Sequence, residues 1–252
     1  MSDQTSSHAR LKHYSVWDLP TRLFHWINVL CVVTLIAIGT FILNAKVFGV
    51  SGDGKILLKT IHVYVGYVFA VNLLWRLVWG FIGNYYSRWK TILPFGKQYR
   101  LSLDSYVGGL KRGKTPTYLG HNPLAKLMVT FLFLLLITQA STGLILAGTD
   151  LYFPPFGHEI AEWVSGSDEE HKNLTEIKPG SDVGVDPVLY AEMRSYRKPV
   201  VTTHVYVFYL LLISIVVHIA AVIFVEFREK NALISAMFTG KKILSEKPLD
   251  TE

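Results

Sequence analysis

The strongest constraint on this chain is a set of four apolar stretches, each about as long as a bilayer is thick. Residues 26–43, WINVLCVVTLIAIGTFIL, contain no charged side chain, and a helix needs about 20 apolar residues to cross a hydrocarbon core. Three further stretches place the spans at about 23–43, 57–83, 126–148 and 200–225, the second interrupted by Lys59, His62, Asn72 and Arg76. Backbone N–H and C=O groups cannot stay unpaired in lipid, and a helix pairs its own. The expected fold is an all-α integral membrane protein, a four-transmembrane-helix bundle forming one domain over residues 1–252. The first span starts too far along the chain, and lacks the basic lead and small-residue cleavage site, to read as a signal peptide.

Only 17% of the residues are charged, against about 25% in an ordinary soluble domain, so the location of the charges matters more than the net +6. Residues 84–125 carry Arg88, Lys90, Lys97, Arg100, Lys111, Arg112 and Lys114 against one acid, Asp104. Basic loops stay in the cytoplasm, which is expected to place both termini there. The connection 149–199 holds ten acids and five bases, including the run SDEE at 167–170. It is expected outside, as a docking structure or as a solvated connector. The positive balance thus records membrane orientation, and no nucleic-acid partner is expected. A single cysteine, Cys31, excludes an intramolecular disulfide, a cysteine-built zinc or iron–sulfur site and a c-type haem attachment.

Of nine histidines, His8, His13, His121, His158 and His171 fall in tails or loops, while His25, His62, His204 and His218 fall in or at the ends of spans. Ionisable groups at membrane depth are expensive and face a bundle interior with a partner or cofactor. Topology pairs them by depth: His25 with His218 near the cytoplasmic side, His62 with His204 near the outer side. The 14 residues separating His204 from His218 amount to a rise of roughly 21 Å with about 40° of drift, so one helix face serves two levels. Two imidazoles per level suit an iron porphyrin held axially from both sides, which gives a bundle enclosing two stacked haems. Gly39, Gly66 and Gly143 would admit a macrocycle or simply close helix packing. The bland reading has each histidine bonded to carbonyls or neighbouring Ser/Thr. A transporter is less well served, because no span has an Asp or Glu in its interior, and two histidines without a carboxylate or thiolate fall short of a closed zinc site.

The segment VWDLPTRLFHWINV at 16–29 resembles the opening of the bacterial cytochrome b561 family, in particular the b-type cytochrome subunit of membrane-bound nickel–iron hydrogenases. GNYYSR at 83–88, GHNPLA at 120–125 and FREKNALISAMFTG at 227–240 extend the match across all four spans. The resemblance implies a di-haem b-type cytochrome, a non-catalytic electron-transfer subunit that relays electrons between a periplasmic redox partner and the membrane quinone pool. By position, His25 and His218 would hold the inner haem iron and His62 and His204 the outer one.

The acidic connection departs from the hydrogenase pattern, and RSYRKPVVTTH at 194–204 replaces a histidine-rich lead-in. The partner is therefore either a hydrogenase-type iron–sulfur subunit or a c-type cytochrome. Arg22, one turn before His25, and Arg76, near the cytoplasmic end of the second span, are candidates for pairing with haem propionates or lipid phosphate. Asn72, Gln139, Ser141 and Thr142 read as interhelical hydrogen-bonding groups more than as a quinone pocket. Two other functions fit the spans: a self-sufficient quinol-linked reductase of a small oxidant such as ferric iron or superoxide, and a haem-free transporter or assembly anchor.

Overall fold

The computed structural model describes residues 12–166, 177–181, 183–229, 232–244 and 247–250. A short strand β1 (Lys12–Ser15) precedes α1 (Leu19–Leu43) and α2 (Gly52–Ile82). A 3-10 turn (Tyr85–Ser87), the single-turn α3 (Trp89–Ile92) and α4 (Lys97–Lys111) lead to α5 (Pro123–Leu151). After these come α6 (Gly157–Ser165), α7 (Pro187–Glu229), α8 (Leu233–Thr239) and strand β2 (Lys241–Leu244).

The four long helices outrun the apolar stretches because each has a polar cap beyond the membrane-like part. Asp18 Oδ1 accepts from Thr21 N at 3.1 Å ahead of α1, and Ser51 Oγ accepts from Gly54 N at 3.0 Å ahead of α2. Asn122 Oδ1 accepts from Ala125 N at 2.8 Å, with Pro123 opening α5. Asp186 Oδ1 takes the amides of Val188 and Leu189 at 2.8 and 3.0 Å, with Pro187 opening α7. An Asx cap followed by proline is an efficient start, since the first helical N–H has no partner to lose. The most apolar windows of the four helices are only 11%, 28%, 17% and 11% buried. Greasy surface facing outward on this scale belongs in lipid, and the protein is a membrane protein.

The chain divides into two compact units. One comprises residues up to 25, 75–133 and 213 onward. Here β1 and β2 pair antiparallel, Lys12 opposite Leu244 and Ser15 opposite Lys241, so the segments before α1 and after α7 lie on one side of the membrane. Val16, Trp17, Tyr86, Leu119, Ala236 and Leu244 form the core beneath them. Asp18 binds it together: Trp79 Nε1 donates to its carboxylate at 2.9 Å, and Asn84 N and Ser87 Oγ each do so at 3.3 Å. Asn84 Nδ2 in turn donates to Val16 O at 2.7 Å. Gly240, at φ +80°, accepts from Val16 N and Trp17 N; a side chain there would adopt a left-handed backbone and run into Trp17 O.

The second unit comprises residues 26–74 and 134–212. In it α6 ends at Gly166, left-handed at φ +65°, and Ala161, Val164, Ile177 and Met193 make a small core. Part of the connection expected as a docking structure or a plain connector is thus a packed helical element. Its acidic run at 167–170 lies outside the described residues.

Candidate functional site

Within the second unit, segments of α1, α2, α5 and α7 line a cavity of about 340 Å³, the scale of a small-molecule site. His62 enters it from α2 and His204 from α7, with ring centres 6.5 Å apart and planes at 71°. Two imidazoles bound to opposite sides of one metal, through bonds of about 2 Å each, have centres roughly 6 Å apart. The spacing therefore suits a metal between the rings.

Thr142 Oγ1 lies 2.8 Å from Thr138 O, 3.2 Å from Gln139 O and 2.8 Å from His204 Nδ1. With the hydroxyl proton given to a backbone carbonyl, Thr142 accepts from Nδ1, the tautomer that leaves the lone pair on Nε2. Gln139 Nε2 lies 3.0 Å from Nε2 and supplies a donor to it, while Gln139 Oε1 is buried without a partner. His62 Nδ1 is likewise buried and unpartnered among the described residues. Unsatisfied polar atoms of this kind mark a site whose ligand completes it.

Small residues open space beside both rings. A Cβ at Gly39 would stand 3.3 Å from His62 Cε1, and one at Gly143 3.4 Å from His204 Cε1, whereas one at Gly66 meets nothing within 4 Å. All three glycines line the cavity. Among the described residues no three His, Cys, Asp or Glu side chains gather as a metal site. An ion between His62 and His204 would take its other ligands from a macrocycle, and the apolar, glycine-relieved walls suit a flat aromatic one.

One end of the cavity is charged. Asp150 on α5 receives Lys59 Nζ at 2.5 Å and the Nε of Arg197. Sequence reading missed this trio, although Lys59 lies three residues before His62 and Arg197 seven before His204, spacings that share a helix face.

The first unit gathers the other two histidines. His25 and His218 are half-buried and close enough to interact electrostatically. Arg76 is 3% exposed, its guanidinium 5.0 Å from the Trp89 ring and 5.4 Å from that of Phe133. Its Nη2 donates to Ser87 O at 3.0 Å, and its Nη1 is buried with no hydrogen-bond partner among the described residues. Arg22 Nη1 donates to Phe238 O, and its Nε is buried with no hydrogen bond among the described residues. His121, expected in a loop, packs on Trp17 with centres 4.8 Å apart. Burial, then the charges of Lys242, Arg76 and Lys126, push its imidazole down to about 3, so it is neutral at physiological pH.

Comparison with known proteins identifies the family. The family model described as prokaryotic cytochrome b561 matches residues 16–240. A probable Ni/Fe-hydrogenase 1 B-type cytochrome subunit of Escherichia coli K12 is 33% identical over 179 residues, 65% of this chain and 74% of the relative. Probable Ni/Fe-hydrogenase B-type cytochrome subunits of Rhizobium leguminosarum bv. viciae and Cupriavidus necator are 25% and 24% identical. The first covers 92% of this chain and 90% of its own length, the second 91% and 87%. No solved structure matches. With a match running from Val16, the first residue of the Asp18 corner, to Gly240, the last of α8's cap, the chain belongs to the prokaryotic cytochrome b561 family.

Proposed function

We propose that this chain is a di-haem b-type cytochrome of the bacterial inner membrane, passing electrons between a redox partner outside the cytoplasm and the quinone pool. Its family makes it a membrane cytochrome of b type, an electron carrier; the haem number, the partner and quinone are the proposal. His62 and His204 hold the outer haem, and His25 and His218 the inner one. The observation that carries this reading is the His62–His204 pair, 6.5 Å apart in a glycine-relieved cavity.

Haem b, when bound, supplies a one-electron ferric/ferrous couple. Held by two histidines, each haem would be suited to electron transfer rather than oxygen or substrate chemistry. Thr142 holds the His204 ring in its ligating tautomer, and the apolar walls exclude water, which sets the potential through burial. Arg76, buried with one N–H free of hydrogen bonds, serves a propionate of the inner haem; Arg22 steadies the segment before β2 and offers its Nε to the same haem.

The relatives are named as subunits of Ni/Fe-hydrogenases, so the partner proposed first is a hydrogenase iron–sulfur subunit, ahead of a c-type cytochrome. The seven Lys and Arg residues within 84–125 support a cytoplasmic location for the segments before α1 and after α7. Purification in mild detergent with pyridine haemochrome quantification tests the core of this: two b haems per chain are expected. His62→Ala and His204→Ala should remove one spectral component, and His25→Ala and His218→Ala the other. A single haem, or all four variants losing the same component, overturns the assignment. Copurification of an iron–sulfur subunit decides the partner.

A further inference from the structure

The charged end of the cavity in the second unit has a composition that matches a particular ligand group. Lys55, Lys59, Asp150 and Arg197 line it together, in a cavity otherwise walled largely by aliphatic and aromatic side chains. Three cations against one carboxylate leave two positive charges in excess. The porphyrin of a b-type haem carries two propionates, so the excess is equal and opposite to the charge of those two groups.

The donors are arranged for carboxylates. Asp150 already occupies such a position: its Oδ2 takes Lys59 Nζ at 2.5 Å and its Oδ1 takes Arg197 Nε. Gripping the guanidinium at Nε leaves the Nη pair with the fork geometry that binds a second carboxylate. Side chains of Lys59, Arg197 and Asp150 are only 27%, 25% and 13% exposed, so their charges act through a medium of low effective dielectric. Lys55 lies one turn before Lys59, on the same face of α2. Lys59 and Arg197 also share their helix faces with His62 and His204, so the cations and the ring nitrogens address one ligand from the same sides.

We infer that Lys59 and Arg197, with Lys55 at the rim, form the receptor for the two propionates of the outer haem, and that Asp150 is a resident counter-carboxylate that holds the receptor in place and trims its charge. The inference rests on the reading that His62 and His204 hold a haem. Ferric haem is one charge more positive than ferrous, so a cation beside it favours reduction and an anion favours oxidation.

The test is spectroelectrochemical titration of the full-length protein in mild detergent, comparing Arg197→Gln, Lys55→Gln and Asp150→Asn with the unaltered chain. Arg197→Gln should move the outer-haem midpoint to more negative potential and make it more pH-dependent near neutrality, because an unpaired propionate titrates closer to that range. Arg197→Lys should restore most of the shift. Asp150→Asn should move the same midpoint the opposite way, and the inner haem should keep its potential in all variants. Lys55→Gln leaves the ion pairs of Asp150 intact and should give a smaller negative shift, which keeps the inference testable if Arg197→Gln does not assemble. Unmoved midpoints alongside a lowered melting temperature would make the trio a helix staple and overturn the inference. A His204→Ala variant that retains every spectral component would sink the haem assignment instead, so the two failures are separable.

Discussion

Thr142 Oγ1 lies 2.8 Å from Nδ1 of His204, with its own proton already given to the carbonyl of Thr138. The pair therefore works in one direction, ring nitrogen to hydroxyl oxygen. Thr142→Val keeps the shape and removes the acceptor, and loss of such an outer partner costs about 10–100-fold in metal affinity. Faster transfer of one haem to an excess of apomyoglobin is expected, with Thr142→Ser close to the unaltered protein. Equal transfer rates for Val and Ser would count against the tautomer argument.

The three glycines of the cavity should respond unequally. Gly39→Val brings branched atoms onto the face of His62, where even a Cβ is 3.3 Å from Cε1, and Gly143→Val does the same to His204. Both should lower the haem-to-protein ratio toward one. At Gly66 a Cβ meets no protein atom within 4 Å, so the single methyl of Gly66→Ala should lower the ratio least of the three. The haemochrome assay reads all three.

Asp18 sets an acid limit on stability. Burial raises its pKa, but hydrogen bonds from Thr21, Trp79 and Asn84 outweigh that and hold the carboxyl below its ordinary 3.8. The unfolded chain therefore binds the proton more readily, and the stabilisation is present above the ordinary value and lost as pH falls through the lower, folded one. Asp18→Ala should lower the thermal midpoint at neutral pH, the lost cap alone costing about 1 kcal/mol of stability. It should also flatten the acid limb of midpoint against pH. An unchanged slope would show that other carboxylates dominate the limb.

Arg76 is held mainly by ring faces. Arg76→Gln removes a desolvated cation from Trp89 and Phe133 and the bond to Ser87 O, a loss of about 2 kcal/mol. Differential scanning fluorimetry in detergent should show the drop. Arg76→Lys should recover little of it, because an ammonium lacks the planar stacking surface. If Arg76 also serves the inner haem, that component's midpoint becomes more negative in the Gln variant.

Membrane helices were legible because lipid dictates composition over about 20 consecutive residues, and the histidine pairs because helical periodicity sets which residues share a face. The helix starts carried signals beyond the apolar runs: Asp186-Pro187 and Asn122-Pro123 are sequence-visible caps, yet hydropathy marks only the part of each helix that lipid covers. What local pattern could not show was the β1–β2 pair, four residues each, separated by most of the chain. Nor could it show that three motifs resembling the family meet at one corner, Asp18 taking Asn84 N while Gly240 O takes Val16 N. His121 lies in a loop as expected, but its packing on Trp17 was out of sight, since the two are more than a hundred residues apart. The Lys59–Asp150–Arg197 trio was half visible, in the one-turn and two-turn spacings to histidine, but its acid comes from a third helix.

The pairing of β1 with β2 also orders the assembly of the protein in time. Val16 and Trp17 leave the ribosome before any span has entered the bilayer, and the carbonyl that receives them, Gly240 O, is made after the last one. Such long-range pairing closes slowly and late. The clasp over the first unit can engage only once all four long helices have been synthesised, so it closes last, leaving the core of Val16 and Trp17 uncovered in any chain that stalls before α8.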